Sequence, residues 1–104
     1  MGDIYSEIVK RIEEGGKGAV ATVISRTGSA PRDAGAKYLI REDGPTTGSV
    51  GGGTVEAEVW RKAQDVMVRE TKTILHFSLT AEQLAEGGMI CGGNVDILIE
   101  PLQR

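Results

Sequence analysis

Apolar residues recur every four positions at Ile4, Ile8 and Ile12, with Ser6, Glu7, Lys10 and Arg11 between them. That spacing predicts an amphipathic helix, and Gly15 and Gly16 stop it. The run Ala19-Val20-Ala21-Thr22-Val23-Ile24-Ser25 is small and β-branched almost throughout, which predicts a strand buried on both faces. It leads into a loop, Arg26 to Arg32, fixed by Gly28 and Pro31. Ala36 to Arg41 predicts a second strand, Glu42-Asp43-Gly44 a turn, and Thr46 and Thr47 a short extended return, together a hairpin. After Gly48-Ser49-Val50-Gly51-Gly52-Gly53 a long helix is predicted from about Thr54 to Glu70, because Val55, Val59, Ala63, Val66 and Met67 hold helical spacing. Thr73 to Leu79 reads as a strand. Thr80 with Gln83 forms a capping box opening a short helix through Glu86, which Gly87 and Gly88 end. In the last strand, Asn94 to Glu100, Val95, Ile97 and Ile99 share one face, Asp96 and Glu100 the other, and Pro101 closes it. Helices and strands alternate, so the expected class is α/β or α+β, with a mixed sheet of about five strands.

Composition narrows the function classes. The chain has 104 residues, enough for one domain and one core. A net charge of −3 lacks the basic surface that nucleic acid or an anionic membrane requires. No apolar run approaches the ~18 residues of a membrane span, and the N-terminus is a helix rather than a signal peptide. The single cysteine cannot form an internal disulfide, so the expected compartment is the cytoplasm. The 15 glycines stand well above the roughly 7% of an average chain and cluster between apolar segments, where backbone approaches a ligand or turns tightly.

Two of those clusters, Gly48 to Gly53 and Gly87 to Gly93, are expected to form one small-molecule site. A glycine run before a helix leaves N–H groups free and aims the positive end of the helix dipole into the loop, which suits a phosphate or another anion. Gly51, Gly52 and Gly53 would supply that backbone and Ser49 and Thr54 hydroxyls. The spacing matches neither a dinucleotide fingerprint nor a P-loop. Cys91, followed by Gly92 and Gly93, is the candidate soft-metal ligand or sulfur contact. Arg26 and Arg32, with Ser29 between them, flank the loop at the end of a buried strand, where guanidinium groups pair with phosphate. Glu56 falls in the first turn of the long helix, where a carboxylate favours the dipole without any ligand. The bland alternatives are close helix packing for the glycines, a buried thiol for Cys91, solvated arginines and a structural His76.

Three segments, ATVISRTGSAPRDAGAK (21 to 37), GSVGGGTVEAEV (48 to 59) and GMICGGNVDILIEPL (88 to 102), together resemble the N-terminal domain of the XdhC/CoxI family, the xanthine dehydrogenase accessory factors. The resemblance covers most of the chain, residues 1–104, in the right order. It implies a non-catalytic accessory protein that binds molybdenum cofactor (molybdopterin) transiently, assists its maturation to the sulfurated form and delivers it to a molybdenum hydroxylase of the xanthine dehydrogenase or carbon monoxide dehydrogenase type. On that reading Gly51 to Thr54 hold the phosphate, Arg26 and Arg32 add charge, and Cys91 faces the metal. A cysteine desulfurase and a separate Rossmann-like domain are partner candidates, and homo-oligomerisation is expected. In the family pattern the first loop ends GGGC, whereas here Thr54 takes the cysteine position. The alternatives are a thiol-dependent sulfur-transfer or redox protein using Cys91, and a partner-binding module without a cofactor.

Overall fold

The computed structural model describes residues 3–28, 34–50, 53–79 and 93–102. Among these residues, two helices, α1 (Ile4–Glu13) and α2 (Gly53–Arg69), accompany five strands, β1 (Gly18–Gly28), β2 (Lys37–Arg41), β3 (Thr46–Gly48), β4 (Thr73–Leu79) and β5 (Gly93–Pro101). Each lies within a residue or two of its expected position, with β1 extending to Gly28. The short helix expected from Thr80 to Glu86 lies outside the described residues. Helix α1 starts where the Asp3 carboxylate accepts the Ser6 N–H at 2.9 Å, an N-cap, and ends at Glu14, with Gly15 following at φ +74°.

The strands form one sheet in the order β3-β2-β1-β5-β4. Every pairing is antiparallel, which corrects the expected mixed sheet and settles the class as α+β. The cause is α2. It carries the chain from β3 at one margin to β4 at the other, so these two strands, which run in the same direction, never become neighbours. The centre of the sheet is β1 against β5, the first strand against the last.

The core lies between α2 and one face of the sheet. Val55, Val59, Ala63, Val66 and Met67 pack on Ala19, Ala21 and Val23 of β1 and on Val95, Ile97 and Ile99 of β5, all buried. Small alanines on β1 let the helix approach closely, and each fully buried Val or Ile contributes about 1.5–3 kcal/mol. Helix α1 lies on the opposite face, over β2 and β3. There it buries Leu39 completely, places Tyr5 under the Lys37 ammonium at 5.8 Å, and joins Glu7 to Arg41 at 2.9 Å. Because α1 does not extend over β1, that strand is not buried on both faces as expected. Val20 and Thr22 are half-covered, and Ile24 and Ser25 are exposed.

Candidate functional site

The antiparallel pairing gathers the ends of the elements that carry the motifs. At one end of the sheet Gly28 of β1 pairs with Gly93 of β5, which pairs with Leu79 of β4. Lys37 of β2 pairs with Thr22, and Gly48 of β3 with Tyr38. Helix α2 begins at this end too, since Ser49 reaches its first turn and Met67 and Glu70 lie beside Gly18 and Pro101 at the other. The segments that depart from Gly28, Gly48 and Leu79 thus leave from one end. Each of the three stretches that resemble the family runs through one of them.

Among the candidate residues, Ser49 and Glu56 come together: the Ser49 hydroxyl donates to the Glu56 carboxylate, and the Ser49 N–H donates to the Lys37 carbonyl at 3.1 Å. This resembles a capping box, with a carboxylate three residues into α2 reaching back to the chain before the helix. It also sets a negative charge against the helix dipole without any ligand. Burial pushes the buried Tyr38 hydroxyl up from its ordinary pKa, and the nearby Glu56 charge adds to the rise against a hydrogen bond with Thr46 that lowers it. Gly48 has a packing reason of its own. Its φ is +89°, and a Cβ there would strike the Lys37 carbonyl and stand 2.8 Å from Ile4 Cδ1. Gly53 opens α2 with φ +50°. Ser29, Arg32, Gly51, Gly52, Cys91 and Gly92 lie outside the described residues, and of Arg26, Thr54 and Gly93 the backbone alone is described. Arg26 stands on β1 opposite Val95, two residues from the strand end.

A constellation the sequence did not single out lies across β1, β5 and β4 on the face away from α2. Asp96 Oδ1 lies 2.6 Å from His76 Nδ1, and Asp96 Oδ2 accepts the Ser25 hydroxyl at 2.7 Å. These two bonds, His76 first, hold the Asp96 carboxyl below the usual carboxylate range. An ionised carboxylate can only accept, so in this contact the proton is on Nδ1. A register shift between Val23 and Ser25 makes the triad possible, since it lets Ile24 bulge and brings Ser25 opposite Asp96. The carboxylate stands between the other two groups, so His76 does not deprotonate Ser25, and the arrangement is not a nucleophile–base pair. His76 and Asp96 occupy matching alternate positions of their strands, a signal that becomes readable once β4 and β5 are known to pair. Among the described residues no group of three or more His, Cys, Asp or Glu side chains could hold a metal ion.

A shallow pocket of about 160 Å³ opens at the far end of the sheet, between Gly16 to Gly18, Met67 and Leu102, and no candidate residue lines it. Among the described residues no helix is long and apolar enough to cross a membrane.

Comparison with known proteins adds three likenesses. A crystallised xanthine dehydrogenase from Bacillus halodurans superposes with a TM-score of 0.80 at 28% identity, over 99% of this chain and 31% of that one. A probable xanthine dehydrogenase subunit from Bacillus subtilis is 29% identical over 94 residues, which is 90% of this chain and 28% of the relative. The Escherichia coli protein YqeB is 29% identical over 97 residues, 93% of this chain and 18% of the relative. The chain therefore spans less than a third of the length of these relatives. The XdhC and CoxI family model matches residues 11–78, well over half of the chain, and with the order of the motif segments and the shared fold it identifies this protein as a member of the XdhC and CoxI family.

Proposed function

We propose that this chain is the cofactor-handling domain of an accessory factor for a molybdenum hydroxylase, holding molybdenum cofactor transiently during its maturation and passing it to the client enzyme. One observation carries the reading: the segments that follow Gly28, Gly48 and Leu79, each of which carries part of a family-like stretch, leave from the same end of the sheet. A phosphate-bearing ligand suits the start of a 17-residue helix preceded by glycines, where amide N–H groups and the helix dipole favour an anion. On this reading Ser49 and Glu56, which hydrogen-bond to each other, serve to shape the loop. The phosphate then falls to the backbone of Gly51 to Thr54 with Arg26 and Arg32, and Cys91 is the residue assigned to the metal. When bound, the cofactor supplies a soft metal–sulfur head. The chain's own residues bind it and orient it for transfer, and they carry out no chemical conversion of a substrate. The relatives named for xanthine dehydrogenase supply the client class.

The test is anaerobic titration of the purified chain with molybdenum cofactor, followed by gel filtration and assay of retained molybdenum and pterin, for wild type and Cys91→Ala. Stoichiometric retention by wild type and loss of molybdenum in the variant are expected. A wild type that retains neither component overturns the proposal, and equal retention by both proteins removes Cys91 from the metal.

A further inference from the structure

The two margins of the sheet differ. Strand β3 is three residues long, and the Arg41 guanidinium caps it, donating to Thr47 Oγ1 at 3.0 Å and to the Pro45 carbonyl at 3.3 Å. Strand β4 runs for seven residues, TILHFSL, without a charged residue, proline or glycine, and among the described residues it pairs with β5 alone. Sheets ordinarily blunt a long edge with lysine, proline or a bulge, because an unguarded edge templates another strand. Ile74 on β4 is 57% exposed, and Leu75 and Phe77 are only partly buried. Leu75 floors an open groove between β4 and α2, walled by Glu58, Arg61, Lys62 and Asp65.

Four charges on this flank of α2 invert their signs when their order is reversed. Glu58, Lys62, Asp65 and Arg69 lie on one flank of α2 within about 60° of arc, and the outer and inner pairs share a midpoint between residues 63 and 64. Against an antiparallel copy of itself, Glu58 faces the second copy's Arg69 and Lys62 faces its Asp65, each twice. Against a parallel copy, every charge faces its like.

We propose that β4 is a homodimerisation edge, on which a second copy of this chain pairs its own β4 antiparallel about a two-fold axis. The two sheets become one of ten strands, both α2 helices lie on the same face, and the paired grooves close over Leu75 and Phe77 of both copies. With strands about 4.8 Å apart and α2 seated over β1 and β5, the helix axes stand on the order of 18 Å apart. The opposed charges then lie within roughly one Debye length, about 10 Å at 0.1 M salt, where they select the antiparallel orientation without forming contact pairs. A single paired edge buries little area, so the dimer is weak, with a Kd in the range of roughly 10–100 µM.

Sedimentation equilibrium of the 104-residue chain over that concentration range tests the proposal. Wild type is expected to dimerise, and Ile74→Lys, which places a charge on the edge, to be monomeric. Lys62→Glu is expected to weaken association severalfold and the double swap Lys62→Glu/Asp65→Lys to restore it, while Gln64→Lys on the other flank of α2 leaves it unchanged. Far-UV circular dichroism confirms that each variant is folded. A wild type that stays monomeric at about 100 µM, a dimer indifferent to Ile74→Lys, or a double swap no tighter than the single reversal overturns the proposal.

Discussion

Asp96 and His76 lie directly opposite each other on β5 and β4, with the carboxylate oxygen 2.6 Å from the imidazole Nδ1. The Asp96 carboxyl is held below its ordinary range by this bond and by the Ser25 hydroxyl, so the folded protein favours the ionised form. The stabilisation is therefore present above the unfolded-state pKa of about 3.9 and lost as pH falls through the lower folded value. Asp96→Asn is expected to melt below wild type at pH 5 and above, and the gap is expected to close as the pH falls below about 4. Thermal melts of both proteins at pH 6, 4 and 3 check this. A gap that widens on acidification would contradict the assignment.

Gly48→Ala places a methyl group at φ +89° against the Lys37 carbonyl and Ile4 Cδ1, where α1, β2 and β3 meet. Gly35 has a similar φ of +96°, but a Cβ there meets open space. Both substitutions incur backbone strain of order 1–3 kcal/mol, and the first adds a steric clash. Urea titrations are expected to rank Gly48→Ala clearly below Gly35→Ala. Equal midpoints would show that α1 yields freely around position 48.

Ile97 is wholly buried beneath α2, whereas Ile74 on the neighbouring strand is 57% exposed. Truncating Ile97 to alanine is expected to cost about 2–5 kcal/mol, since the cavity adds to the lost transfer energy. Ile74→Ala is expected to cost less than about 1 kcal/mol in folding stability measured on the monomer at low micromolar concentration. Guanidinium denaturation of both variants reads the difference, and a small loss at Ile97 would place the core elsewhere.

Much of the secondary structure was legible because periodicity and burial coincide. Val55, Val59, Ala63, Val66 and Met67 of α2 are all buried, and so are Val95, Ile97 and Ile99 of β5. Pairing partners were not legible. The apolar run of β1 reads as a strand covered on both faces, but α1 is short and its contacts with Leu39, Lys37 and Arg41 hold it over β2 and β3. That leaves Ile24 and Ser25 in the open, a consequence of where another element docks and not of β1's own residues. The same reason hides the Ser25–Asp96–His76 triad. Its members are separated by 71 and 20 residues, and only the register of three strands, with its bulge, brings them together. At the glycine-rich end, the motif order was readable as a family likeness. The packing demand at Gly48 and the Ser49–Glu56 bond were not, because both depend on partners from α1, β2 and α2.

The first strand forms the middle of the sheet with the last. Until β5 is in place, β1 has β2 on one side and nothing on the other, and β4 has no neighbour among the described strands. During synthesis the β1–β2–β3 meander can zip early, but the assembled sheet must wait until β5 clears the ribosome. Such distant pairings also slow folding, because the entropy of closing a long loop is lost before the contacts form. Since synthesis proceeds at ~5–20 residues per second, the β4 edge that β5 later covers stays open for seconds in the nascent chain, a window in which a chaperone or a neighbouring nascent copy competes for it.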